Sequence, residues 1–125
     1  MKAMARDFEY VFVYGTLRRS FQNHRLLSRS PCLGGAGTRE RYALYVGEYP
    51  FVVRDQPVSP IIGEVYKVDP ATLMVLDALE EHPQVYRREK VPVVLDDGRE
   101  IEAWLYFYPR PGGRLIESGD YAGNA

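Results

Sequence analysis

An apolar run of aromatic and β-branched residues, Tyr10-Val11-Phe12-Val13-Tyr14, is cut off abruptly by Gly15-Thr16-Leu17. No other stretch limits so strongly what this chain can fold into. The run has the composition of a buried strand, and the glycine stops it. Glycine tolerates backbone angles that other residues avoid and lets a ligand come close, so a turn of this kind can aim N–H groups at a bound molecule. A core strand followed by an ordinary turn accounts for the same residues. The choice between the two depends on a second stretch, Leu76 to Arg88, which reads LDALEEHPQVYRR.

Between and around these stretches the chain reads mostly as strands. After a mixed, charged lead-in over residues 1–9 comes the strand, then a turn and a short helix within Arg18 to Ser30, ended by Pro31. Leu33 to Gly37 is glycine-rich and reads as a bend or a strand bulge rather than a phosphate cradle. Thr38 to Val46 reads as one strand, Phe51 to Val53 as a short one and Ile61 to Val68 as another, with Gly63 marking close approach of a neighbour. Arg87 to Leu95, Asp96-Asp97-Gly98 and Glu100 to Tyr108 make a hairpin. Pro109 to Gly113 is a rigid loop, and the tail from Leu115 reads as a short turn ending in Gly119-Asp120-Tyr121. The expected fold class is α+β: one domain over 1–125, a mixed curved sheet or small barrel with a few short helices outside.

Composition narrows the function classes. The 125 residues carry a formal net charge of -1, with no concentrated basic face; Arg18, Arg19 and Arg25 are the only early cluster, so no nucleic-acid partner is expected. A single cysteine, Cys32, excludes an intrachain disulfide and reads as buried or half-buried. With only His24 and His82 beside it, neither a metal nor a cofactor is expected. No apolar run of about 18 residues predicts a membrane span, and the expected compartment is cytoplasmic. Ten tyrosines suit a pocket wall or the interface of a homodimer.

Asp69-Pro70 is the clearest helix start: Asp69 caps the first free N–H groups and Pro70 fits the first turn. The helix is expected to run to about Glu81 and to stop near His82-Pro83. At about 100° per residue, Glu80 falls between Leu73 and Leu76, inside the apolar stripe. A carboxylate there is costly unless it is paired, hydrogen-bonded or open to a cavity. Two readings follow. Glu80 pairs with Arg87 or Arg88 or accepts a hydroxyl proton, or it stands on the wall of an apolar pocket, where desolvation raises its pKa and makes it a proton acceptor near neutral pH.

Tyr14-Gly15-Thr16-Leu17, Gly63-Glu64-Val65-Tyr66, Leu76-Asp77-Ala78-Leu79-Glu80, Pro83 to Val93 and the closing Gly119-Asp120-Tyr121 together resemble the gamma-glutamylcyclotransferase-like family, from about Val11 to Tyr121. The resemblance implies a substrate-cradling turn at Tyr14 to Leu17, a catalytic glutamate at Glu80 and an aromatic neighbour at Tyr86. It also implies a Tyr121 that closes the pocket or pins the tail. Two departures stand out. Arg18, Arg19 and Ser20 replace the common Lys-Gly, and Glu81 replaces the glycine that often follows the glutamate, a change expected either to raise the pKa of Glu80 further or to tilt the helix end. The implied reaction is closure of a γ-glutamyl amine or peptide substrate to 5-oxoproline with release of an amine, the leaving group being left open. A non-catalytic binding or regulatory module on the same fold is the alternative.

Overall fold

The computed structural model describes residues 8–122; most of the 1–9 lead-in lies outside the described residues. Eight strands form one sheet: β1 Glu9–Val13, β2 Cys32–Thr38, β3 Ala43–Val46, β4 Pro50–Val53, β5 Ile62–Val68, β6 Arg87–Leu95, β7 Glu100–Phe107 and β8 Arg114–Ile116. Their order is β1-β5-β2-β6-β7-β4-β3-β8, and β7 also pairs in parallel with β1 through Val11 and Trp104. That extra pairing closes β1, β5, β2, β6 and β7 into a mixed five-stranded barrel. The remaining three strands extend from it as a wing, joined where Val52 of β4 meets Phe107 of β7. The expected α+β small barrel is the observed architecture.

The apolar run of β1 has two jobs because successive side chains point to opposite faces. Phe12 and Tyr14 enter the barrel interior with Leu44, Val65, Val93 and Leu105. Val11 and Val13 face outward and are covered by Leu27, from a single 3-10 turn at His24–Leu27, and by Leu73 and Leu76 of the helix α1, Pro70–Leu79. The strand is therefore buried on both faces, which accounts for its lack of polar alternation.

The helix begins as its sequence demands, with Asp69 accepting a 2.7 Å bond from the N–H of Thr72 and Pro70 in the first turn. It ends earlier than expected, at Leu79, with Glu80 as the C-cap. Only Leu73 and Leu76 are seated; Met74, Val75 and Leu79 are exposed. Among the described residues no helix is long and apolar enough to cross a membrane.

Several local readings need correction. Of the two readings of the glycine-rich Leu33 to Gly37, the bend gives way to the strand bulge: the segment belongs to β2, is bulged between Cys32 and Gly34, and pairs with both β5 and β6. Glycine hides a strand here because it removes the side chains that would show alternation. The expected strand Thr38 to Val46 is two, since Thr38 ends β2 and turns the chain by donating its hydroxyl to Glu40 O at 2.7 Å. The tail contributes β8, which pairs with β3 and is too short to leave a periodic signal. Cys32, expected buried or half-buried, is exposed.

Gly63 lies on β5 beside the end of its antiparallel neighbour β1. A Cβ at that position would collide with the carbonyl oxygen of Val13 and lie 2.8 Å from Cζ of Phe12. Neither atom is the loose end of a surface side chain. Gly63→Ala is expected to cost roughly 1–3 kcal/mol, the usual range for overpacking, read as a lower urea midpoint with an unchanged m-value.

Candidate active site

At one end of the barrel, facing the wing, lies a cavity of about 800 Å³. The turn after β1, Gly15 to Leu17, forms one wall. The end of α1 supplies Glu80 opposite it, Pro50 and Phe51 of β4 form the floor, and Tyr86, Tyr106 and Tyr108 complete the sides. Residues distant in sequence meet here because β1 and β7 are adjacent in the barrel and α1 packs across both.

Glu80 is half-buried, and none of the described residues pairs its carboxylate in a hydrogen bond or ion pair. Burial alone pushes its pKa up to about 7. The cation that would have neutralised it is committed elsewhere. On β6, Arg88 stands opposite Tyr106 of β7, and both reach Asp77 one turn before Glu80 on α1. Arg88 donates from Nε and Nη2 to the two oxygens of Asp77 at 2.8 and 3.1 Å, and the Tyr106 hydroxyl donates to Oδ1 at 2.6 Å. The guanidinium also stacks over Trp104 at 4.3 Å. Strand alternation leaves Arg87 exposed. Pairing of Glu80 with Arg87 or Arg88 is thus ruled out by Asp77, which takes the arginine and leaves the glutamate facing the cavity.

In the turn, among the described residues no acceptor is paired with the backbone N–H groups of Gly15, Thr16 and Leu17. The turn is held from behind: Asn23 donates its side-chain amide to Thr16 Oγ1 and its N–H to Thr16 O, both at 2.9 Å. Because Oγ1 accepts from Asn23, the Thr16 hydroxyl proton remains free to donate. Leu17 buries its side chain beneath α1, leaving its backbone on the cavity wall. Gly15 is needed for close approach, but of Pro50 rather than a ligand; an added Cβ would lie 2.7 Å from Pro50 Cγ. It is not among the residues with positive φ.

Two tyrosines bracket Glu80. Burial, followed by the proximity of Tyr86 and Glu80, holds the Tyr14 phenol well above its usual pKa. Its proton is committed to Tyr106 O at 2.9 Å. Tyr86 is likewise pushed up, first by burial and then by Glu80 and Tyr108, but its hydroxyl makes only a 3.4 Å contact to Pro50 O. Tyr86 is the donor with freedom to turn toward a ligand. Tyr121 does not line the cavity. Its ring packs 5.2 Å from Phe21, and the neighbouring Asp120 pairs with Arg18 Nη1 at 2.8 Å, so the Gly-Asp-Tyr segment fastens the tail to the loop after β1.

The family model described as gamma-glutamyl cyclotransferase, AIG2-like, matches residues 11–123. The chain belongs to the gamma-glutamylcyclotransferase family. A relative from Methanocaldococcus jannaschii, which carries a provisional gamma-glutamylcyclotransferase name, is 56% identical over 114 residues, covering 90% of this chain and 95% of that one. The family protein YtfP of Escherichia coli K12 is 38% identical over 89% of this chain and 94% of its own. Among solved structures, an AIG2-like protein from Mus musculus superposes with a TM-score of 0.79 at 27% identity, over 90% of this chain and 88% of that one. An uncharacterized protein from Pyrococcus horikoshii gives 0.77 at 30%, over 93% and 92%.

Within this family, Glu81 is the informative departure. It occupies the left-handed region at φ 54°. Its N–H donates to Ala78 O at 3.2 Å and that of His82 to Asp77 O at 2.9 Å, the paired bonds of a helix end that favours glycine. The expected electrostatic consequence is absent, because the raised pKa of Glu80 has burial as its only cause. Glu81 therefore carries backbone strain without tuning the site. Glu81→Gly is expected to stabilise the protein by about 1 kcal/mol, seen as a raised urea midpoint, and to leave the ionisation of Glu80 in place.

Asn23, Pro50, Tyr106 and Tyr108 escape the sequence reading. Asn23 is one polar residue among many in a loop, and the others reach the cavity through pairings between strands that no local pattern encodes.

Proposed function

We propose that this protein is an intramolecular γ-glutamyl cyclotransferase with Glu80 as its base and then its acid. The observation that carries the proposal is the unpaired Glu80 carboxylate, its pKa pushed up to about 7 by burial, across a cavity from a turn with free N–H groups. The α-ammonium of a γ-glutamyl amide yields a proton to Glu80, and the freed amine attacks its own γ-carbonyl carbon. A five-membered lactam C–N bond forms and the original amide C–N bond breaks. Glu80 returns its proton to the departing nitrogen. The second proton shed by the attacking nitrogen completes the ammonium of the released amine, and 5-oxoproline remains.

Three groups serve this path. The N–H groups of Gly15 to Leu17 grip the substrate α-carboxylate, with the Thr16 hydroxyl as a further donor, and hold the flexible chain bent; orientation of this kind supplies much of the rate gain. Tyr86 donates to the γ-carbonyl oxygen as negative charge develops there. Tyr14 braces the wall through its bond to Tyr106. The apolar surroundings keep Glu80 poised near neutrality.

The test is release of 5-oxoproline from γ-glutamyl dipeptides, γ-glutamyl tripeptides and γ-glutamyl-lysine, followed across pH. The acid limb of kcat/KM is expected to bend near pH 7, because Glu80 must be deprotonated to accept the amine proton. A limb bending near the ordinary glutamate value would mean the base is an exposed carboxylate, and Glu80 would lose its assigned role.

A further inference from the structure

The cavity is larger than a γ-glutamyl group requires, since about 800 Å³ lies high in the roughly 300–1,000 Å³ that holds a drug-sized ligand. The surplus has its own chemistry. Outward from Glu80 the wall passes over Tyr86, whose ring lies 5.3 Å from that of Tyr108. Phe51 closes this strip 4.9 Å from Tyr108, and the Arg110 guanidinium sits 5.6 Å from the Tyr108 ring on its outer side. Arg110 is exposed, lies between Pro109 and Pro111, and is the one cation among the described residues lining the cavity. Its loop ends at Gly113, at φ 75°, where an added Cβ would collide with the carbonyl of Val46.

Resting on the cyclotransferase reading, we infer that this strip and Arg110 form a leaving-group subsite for γ-glutamyl tripeptides, γ-Glu-X-Y. An aromatic X lies over Tyr86 and Tyr108, and the C-terminal carboxylate of Y meets Arg110. A carboxylate on X itself would remain beside the scissile nitrogen, whereas Arg110 stands two rings away from Glu80. A chain advances about 3.3–3.6 Å per residue, so one further residue moves the carboxylate along the strip toward the Arg110 side of Tyr108. The guanidinium fork matches a carboxylate bidentately, and the aromatic strip favours an offset or edge-on ring. Glu48 and Glu81, exposed on the same rim, repel additional negative charge. A leaving group with a single carboxylate is therefore favoured over one with several.

Initial rates are compared for γ-Glu-Phe-Gly, its C-terminal amide, γ-Glu-Ala-Gly and the isopeptide Nε-(γ-Glu)-Lys, with the natural protein and with Arg110→Gln. The acid is expected to show a KM about tenfold below that of the amide at similar kcat, the low end for a charged hydrogen bond at an exposed site. The phenylalanine donor is expected to exceed both the alanine donor and the isopeptide by about tenfold in kcat/KM. Arg110→Gln is expected to erase the difference between acid and amide while preserving that between phenylalanine and alanine. The same four ligands are titrated calorimetrically into Glu80→Gln and Glu80→Gln/Arg110→Gln, which reads the subsite without chemistry. Discriminating binding with no turnover by the natural protein would end the cyclotransferase reading and keep the subsite. Equal use of all donors, a better isopeptide, or an Arg110→Gln variant that weakens acid and amide alike would overturn the subsite and keep the chemistry. Absence of both turnover and binding would overturn both.

Discussion

Glu80→Gln is expected to lower kcat for 5-oxoproline release by about 10²–10⁴-fold, the usual worth of a positioned general base, while making the folded protein more stable at pH 8. The second half follows from linkage. The folded pKa, about 7, is raised above the ordinary glutamate value of 4.5, so the native state holds the Glu80 proton more tightly than the unfolded chain does. The protonated carboxyl's advantage is fully present below about pH 4.5 and is lost as pH rises through 7. At pH 8 the natural protein carries a desolvated charge that the glutamine variant lacks. We expect the variant to gain about 2 kcal/mol there, allowing for partial hydration of the open cavity, and little at pH 4. Urea titrations at the two pH values, alongside the activity assay, give the test. A variant that loses activity and stability together at pH 8 would mark Glu80 as a structural residue.

The second large effect concerns Asp77. Burial pushes its carboxyl upward, but the hydrogen bonds from Arg88 and Tyr106 and the charge of Arg88 outweigh that, leaving it below the usual carboxylate range. Asp77→Ala leaves the Arg88 guanidinium, with 18% of its side chain exposed, and the Tyr106 hydroxyl without their acceptor. A fully buried broken pair costs about 3–5 kcal/mol; for this partly hydrated one we expect about 2–3 kcal/mol. The sign with pH is opposite to that of Glu80. The contribution of Asp77 is present above the ordinary aspartate pKa and disappears as pH falls through its depressed folded value. The variant and the natural protein should therefore converge in stability in strong acid, as thermal unfolding from pH 7 down to pH 2 would reveal. Activity is expected to fall as well, because the Asp77–Arg88 bonds tie the end of α1 that carries Glu80 to β6.

Much of this arrangement is legible in the sequence where the constraint is local. Asp69-Pro70 marks a helix start by backbone chemistry alone, the Asp96-Asp97-Gly98 turn sets a hairpin, and Glu80 is conspicuous because a carboxylate on a buried stripe must have a reason. What cannot be read is anything decided by competition or by long-range pairing. Whether Arg88 goes to Glu80 or Asp77 depends on which turn of the helix lies over β6, and that depends on barrel closure. The glycine-rich β2 shows no alternation because it has few side chains to alternate. Three-residue β8 exists only because β3 is already there to receive it. Tyr121 resembles a site residue by its motif, but its ring meets Phe21, outside the cavity.

The closure of β7 onto β1 has a kinetic corollary. The turn at Gly15 to Leu17, the carboxylate of Glu80 and the rings of Tyr86, Tyr106 and Tyr108 come from widely separated points along the chain. The hairpin of β6 and β7 brings Tyr86 beside Tyr108 on its own, but the turn at Gly15 to Leu17 does not face them until the first strand has found the seventh. Pairings of such long sequence separation form late and slowly. During refolding, secondary structure should therefore return before catalysis does. On the proposed cyclotransferase reading, product would form only in molecules whose barrel has shut.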